Sequence, residues 1–201
     1  MENQDKKRLL IIEAALKRFA HYGLAKTTMT EIAKDISFSK ALLYYYFPDK
    51  LTLYVTTIEH LMQVMSRDLI KSIDKTKTST EGIIKLLQKR QTYIQKYYKL
   101  FESNQVIGQD LPNGLSEKIE KAKAFEAMVV NSLFNRGIAS GELSMDNPKL
   151  VTEVFMNALT GIHFDIVLKH RYVFPDKDHF KQIFLKERLF ADVFMAGLQK
   201  K

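Results

Sequence analysis

The chain has no cysteine. Disulfides, thiolate metal sites and thiol redox sensing are therefore excluded, and the chain suits a reducing cytosol. Proline is scarce. Its four copies, Pro48, Pro112, Pro148 and Pro175, all fall at breaks between apolar-periodic segments, as a helical protein requires. There is no run of about 18 apolar residues, so no membrane-spanning helix is expected. The opening stretch MENQDKKRLLIIEAALKRF has no small-residue cleavage site after its short apolar run, and its apolar residues are helically spaced. It is not read as a signal peptide, and a cytoplasmic location is expected. Strand-like alternation and internal repeats are absent too. The five histidines, His21, His60, His163, His170 and His179, form no H-x-x-x-H pair. His163 and His170 share a face but lie roughly 10 Å apart along a helix axis, too far to hold one ion without other ligands. No nucleophile elbow, phosphate loop or dinucleotide fingerprint occurs. No metal, cofactor or catalytic role is expected.

What remains is a 201-residue chain that is 46% hydrophobic, enough for a sizeable core, with a formal net charge of +8. Residues 1–50 carry nine basic and six acidic side chains, a net +3 for the first quarter. A basic balance permits nucleic-acid binding and equally serves general solubility. The expected fold is all-α. A first helix spans about Lys6 to Tyr22, with Leu9, Ile12, Leu16 and Phe19 at spacings of three and four and Gly23 as a stop. Thr28 and Glu31 form a capping box that opens a second helix, whose inward face is Ile32, Ala33 and Ile36. Ser39 caps a third helix to about Phe47, and Asp49 caps a long fourth. Four further helices are expected at about Thr80–Glu102, Ser116–Arg136, Pro148–His170 and Asp178–Leu198. The division expected is a DNA-binding domain at 5–50 and a helical effector-binding and dimerisation domain at 51–201.

Three consecutive tyrosines, Tyr44, Tyr45 and Tyr46, stand next to Phe47 in the short third helix. Neighbouring side chains on a helix point about 100° apart, so at least one tyrosine must face outward. Leu43 and Phe47, four apart, can pack on Ile32 and Phe38, with Tyr46 close to that face. Lys40, Tyr44 and Tyr45 then look elsewhere. Two short helices joined by a tight turn have helix-turn-helix proportions. An outward tyrosine can donate to a phosphate while its ring packs on sugar or a thymine methyl. Taken alone, the tyrosines could equally be bundle aromatics, and Lys40 and Lys50 solvated charges.

The stretch TTMTEIAKDISFSKALLYYYFPDKLTL, preceded by AALKRFAHYGLAKTT, resembles the helix-turn-helix of the TetR family of bacterial transcriptional regulators over about residues 6–65. The resemblance implies phosphate contacts at Thr28, Ser39, Tyr44 and Lys50. It implies groove-facing residues at Lys40, Ala41, Leu42 and Tyr45, with Met29 near a base. Lys40 is the expected donor to guanine edges. The family usually has Gly where this chain has Ser37, so a positive φ is expected there at a cost of about 1 kcal/mol. It usually has a small residue at Ala41 and often Thr at Leu42, so the operator sequence does not follow from the resemblance.

An operator of two half-sites requires two reading heads about 34 Å apart, hence a homodimer on double-stranded DNA. The last two helices suit that role. Val151, Phe155, Leu159, Ile162 and Ile166, with Val154, Met156 and Ala158, are apolar on more than one side, and the final helix adds Phe180, Ile183, Phe184, Phe190, Val193 and Phe194. A large monomeric bundle is the alternative. The resemblance further implies a small apolar or aromatic effector. Met62, Met65, Tyr93, Tyr97, Phe101, Phe125, Met128 and His163 are the candidates to line its site, with Asp165 as a further polar point. Each could instead be plain core. The expected function is a repressor released by its effector. The alternatives are a constitutive DNA-binding regulator, or a helical small-molecule-binding protein or enzyme with a vestigial DNA head.

Overall fold

A computed structural model describes the backbone of residues 2–101, 114–169 and 177–200. Among these residues it has eight helices and no strand, only an isolated bridge between Leu143 and Gln199. The helices are α1 (Glu2–Tyr22), α2 (Met29–Asp35), α3 (Lys40–Tyr46), α4 (Lys50–Ile73), α5 (Ser79–Phe101), α6 (Leu115–Ala139), α7 (Pro148–Lys169) and α8 (Lys177–Leu198). The expected all-α architecture is the one observed. None of the helices described is long and apolar enough to cross a membrane. The chain divides into two compact units, neither continuous in sequence: residues 1–66 with 96–121, and residues 67–95 with 122–201.

The first unit is built around α1. Its buried residues are Ile11, Ile12, Ala14, Ala15 and Phe19, whereas Leu9 is exposed. The inward stripe keeps the expected Ile12 and Phe19 and takes Ile11 and Ala15 in place of Leu9 and Leu16. The Phe19 ring meets Tyr54 of α4 edge to face at 5.3 Å. The buried Tyr54 hydroxyl donates to the Leu100 carbonyl, so its one polar atom is satisfied inside the core. Complete burial of each such side chain contributes about 1.5–3 kcal/mol. The Nζ of Lys118 pairs with Glu59 at 2.6 Å and the Nζ of Lys99 donates to the His21 carbonyl at 3.1 Å. Both tie residues from the later part of the chain to the first sixty.

The second unit has its own core: Ile83, Leu86 and Leu87 of α5, Val130, Leu133 and Phe134 of α6, Phe155 and Leu159 of α7, and Ala191 and Met195 of α8. Phe134, Phe155, Phe190 and Phe194 form a ring cluster with centroid separations of 5.3–6.4 Å. At Gly82 a Cβ would stand 2.4 Å from a Leu133 methyl, so any larger residue there would force the Leu133 side chain to shift. The start of α5 is capped from a distance. Glu142 accepts from the amides of Ser79 at 2.6 Å and Thr80 at 2.9 Å, and from the Thr80 hydroxyl at 2.6 Å. Burial opposes ionisation of this carboxyl, but the bonds from Thr80 and Ser79 together hold it below its ordinary range.

The last two helices sort their apolar residues in a way periodicity alone did not resolve. Phe155, Leu159, Phe180 and Ile183 are buried, and Phe190 and Phe194 are spent on the ring cluster. The outward apolar stripe is a different set: Leu150 and Val154 on α7, and Leu185, Leu189 and Val193 on α8. The side chains of Phe101, Asp165, Ile166 and His170, and the expected connections around Pro112 and Pro175, lie outside the described residues.

Candidate nucleic-acid interface

Helix α2 begins where the sequence places its cap. The Thr28 hydroxyl accepts from the Glu31 amide at 3.3 Å, and the Thr28 amide donates to the Glu31 carboxylate at 2.9 Å. The same hydroxyl donates to Glu31 at 2.7 Å. This bond and the amide bond from Thr28 lower the Glu31 pKa. Thr28 can therefore donate to a phosphate only by releasing Glu31. Arg18 of α1 clamps α2 from outside, with two bonds to Asp35 at 2.6 and 2.8 Å and a 3.3 Å pairing to Glu31. Hydrogen bonding from Arg18 is the main cause that holds Asp35 below its usual range.

The turn is a Schellman motif. The Phe38 amide donates to the Ala33 carbonyl at 2.9 Å and the Ser37 amide to Lys34 at 3.2 Å. Its left-handed position is Ser37, at φ 55°, the only positive φ at a non-glycine residue among those described. Ser39 then caps α3, accepting from the Leu42 amide at 3.1 Å. Leu43 and Phe47 are fully buried, Leu42 and Tyr46 half-buried, and Lys40 and Ala41 exposed. Tyr44 is 41% and Tyr45 71% exposed. The outward face of α3 is thus Lys40, Ala41, Tyr44 and Tyr45. The Lys40 ammonium lies 5.7 Å from the centre of the Tyr44 ring.

Two expected contacts change role. Met29 is only 5% exposed: it is a core residue of the head and has no surface to offer a base, so that expectation is corrected. At the first helical position its side chain folds inward with Ile32. Lys50 is held by the protein itself. Its Nζ donates to the carbonyls of Leu24 at 2.9 Å and Thr27 at 3.1 Å, tying the α1–α2 loop to the start of α4. Sequence reasoning also missed two residues of α1. Gln4 donates to the Tyr45 hydroxyl at 3.3 Å, and the Arg8 guanidinium stands 5.2 Å from the Phe47 ring centre. Both are far from α3 in sequence, and no local signal marks them.

Residues 11–56 match the model of bacterial regulatory proteins of the tetR family. The chain is 27% identical over 170 residues to the uncharacterized HTH-type transcriptional regulator YhgD of Bacillus subtilis, covering 83% of this chain and 86% of that one. The chain is a member of the TetR family of bacterial transcriptional regulators. Its fold matches that of a transcriptional regulator from Cytophaga hutchinsonii with a TM-score of 0.88 and 29% identity, over 96% of this chain and 99% of that one. It also matches FadR from Bacillus subtilis in complex with stearoyl-CoA, with a TM-score of 0.66 and 16% identity, over 95% and 99% of the two chains.

The residues expected to line an effector site of this TetR-family chain divide between the two units. Met62, Met65 and Tyr97 are half-buried in the first, and Tyr97 sits at a break in helical geometry with φ −119° and ψ 17°. In the second unit Tyr93 donates to Asp68 at 3.1 Å, and Phe125 packs against the core. Met128 is 60% exposed on the outer surface of α6, and its expected inward place is corrected. Its neighbours Val129 and Val130 take the inward positions. His163 is half-buried with no hydrogen-bond partner for Nδ1, and burial, reinforced by the Arg90 charge, pushes its pKa down to about 4. No group of three His, Cys, Asp or Glu able to hold a metal occurs among the described residues.

Proposed function

We propose that this TetR-family chain is a repressor that binds a palindromic operator as a homodimer and releases it when a small apolar or aromatic effector binds. The reading rests on one observation above all: α3 anchors itself through Leu43 and Phe47 and leaves Lys40, Ala41, Tyr44 and Tyr45 outward. That face has a cationic donor for guanine edges, a small residue that allows close approach, and two phenols for backbone oxygens. Residues 5–50 are taken as the DNA-binding domain and 51–201 as the effector and dimer domain. The exposed stripe of Leu150, Val154, Leu185, Leu189 and Val193 supports dimerisation through α7 and α8, since large apolar side chains grouped on neighbouring helices mark an interaction surface. Helix α4 contributes to both compact units, which makes it the natural carrier of a signal from effector to head. FadR, which shares the fold, holds stearoyl-CoA. Release requires only that the effector prefer the non-binding conformation, and a tenfold effect needs about 1.4 kcal/mol of coupling.

The test is selection of bound sequences from random duplex DNA, followed by titration of the selected duplex at several salt concentrations. The expected result is a palindrome with half-sites about one helical turn apart and an affinity that falls with salt. Recovery of no sequence preference, with salt-insensitive binding, would refute the reading.

A further inference from the structure

A partly buried charge cluster joins three helices of the second unit. Arg90 of α5 lies 3.4 Å from Glu126 of α6 and 3.5 Å from Glu187 of α8. The Arg90 charge also acts on His163 of α7, adding to the effect of its burial. Glu187 is 1% exposed, and its Oε1 has no hydrogen-bond partner: the 3.5 Å approach to Arg90 lacks hydrogen-bond geometry. The buried Nδ1 of His163 is unpaired as well. A carboxylate removed from water costs several kcal/mol unless it is both paired and hydrogen-bonded. Here one guanidinium is shared between two carboxylates, and neither Glu187 Oε1 nor His163 Nδ1 has a donor.

We propose that the effector of this TetR-family chain presents a protonated amine, carried on an apolar body, to Glu187, with His163 as a second hydrogen-bonding point. The inference rests on the reading that the second unit takes an effector, and it specifies that ligand's chemistry. An ammonium completes the charge balance of one guanidinium against two carboxylates, and its N–H groups supply the missing donor. A carboxylate ligand would add a third negative charge beside Glu126 and Glu187. A neutral hydroxyl could donate but would leave the second carboxylate uncompensated. Neutral His163 accepts from the same class of ligand when its proton sits on Nε2. Burial raises the pKa of Glu187, Arg90 works against that rise and Glu126 adds to it. Amine binding favours the ionised carboxylate, so any Glu187 protonated beforehand gives up its proton. The charged groups that act on Glu187 are Arg90 of α5 and Glu126 of α6, and Arg90 also acts on His163 of α7.

The experiment uses the full chain and three matched panels: primary amines from butyl to decyl and with phenylalkyl bodies, the carboxylates on the same skeletons, and the alcohols. Binding is measured by calorimetry, and release of the selected DNA is followed in parallel. The expected result is binding and DNA release by the amines only. Glu187→Gln should weaken amine binding about tenfold or more, since a charge-assisted hydrogen bond is lost. His163→Asn should weaken it less. Both variants should still fold, since Glu187→Gln keeps the shape of the side chain beside Arg90 and His163→Asn removes a ring nitrogen that lacked a hydrogen-bond partner. Carboxylates or alcohols that bind as well as amines and release DNA, with Glu187→Gln indifferent, overturn the amine and leave the sensor standing. Absence of binding from all three panels overturns both. If Glu187→Gln fails to fold, an undiminished amine affinity in His163→Asn, or a wild-type preference for another panel, still overturns the proposal.

Discussion

Lys50 offers a sharp test of how this TetR-family head is organised. The resemblance casts it as a phosphate contact, whereas the structure engages its ammonium with the carbonyls of Leu24 and Thr27 at 2.9 and 3.1 Å. The perturbation is Lys50→Met, which keeps the length of the side chain and removes the charge. Hydrogen bonds to a charged group contribute about 1.5–3 kcal/mol each when well sheltered. Here two bonds share one half-buried ammonium, so the expected loss is about 1–3 kcal/mol for the pair. For a chain of this size that corresponds to a fall in melting temperature of roughly 2–12 °C. The loop that Lys50 holds ends at Thr28, the cap of α2, so DNA affinity should fall as the head loosens. The dependence of log affinity on log salt should stay as steep as in the wild type. A direct phosphate contact behaves differently: its removal makes the slope shallower by about 0.9 per contact. Fluorescence anisotropy at four salt concentrations, beside calorimetric melting, separates the two. A shallower slope with unchanged melting would refute the loop-tying role.

Ser37→Gly should stabilise the head by about 0.5–1 kcal/mol, the relief of a left-handed serine less the extra freedom of glycine in the unfolded chain; a loss of stability in chemical denaturation would contradict it. Glu142→Gln should cost about 1–2 kcal/mol at neutral pH through weaker capping of α5. The folded pKa of Glu142 is depressed, so its contribution is present above the ordinary value near 4.3 and is lost as pH falls through the folded value; the wild-type and variant stability curves should therefore converge in acid, and parallel curves would refute the assignment. Tyr44→Phe should weaken binding about equally across sequences, whereas Lys40→Ala should relax base preference in a competition assay; unchanged affinity in both would sink the roles given to α3. Leu189→Glu, at a position 66% exposed, should turn a dimer into a folded monomer in sedimentation velocity; a wild-type monomer would rule out the α7–α8 interface.

The head was legible because its signals are local. The Thr28–Glu31 box, the Ser39 cap and the 43/47 spacing lie within a few residues of their partners, so the sequence already states the bonds the structure makes. The same locality explains the errors. Met29 and Lys50 occupy surface-like positions in the pattern, but their partners sit across the fold, and only tertiary packing turns one into core and the other into a loop tie. In α7 and α8 the apolar residues are too many for periodicity to choose between core and outward faces. The choice fell to the ring cluster that draws in Phe155, Phe190 and Phe194 and leaves Leu185, Leu189 and Val193 outside.

By itself, then, the sequence determined an all-helical chain and the register of its helix-turn-helix, because turn chemistry and helix period act over a handful of residues. Tertiary structure alone decided what meets across long separations. Arg18 on Asp35, Gln4 on Tyr45, Glu142 over the start of α5 and Arg90 between two glutamates are all such pairs. A charged side chain reads the same in sequence whether solvated or buried; which it becomes depends on the groups the fold places opposite it.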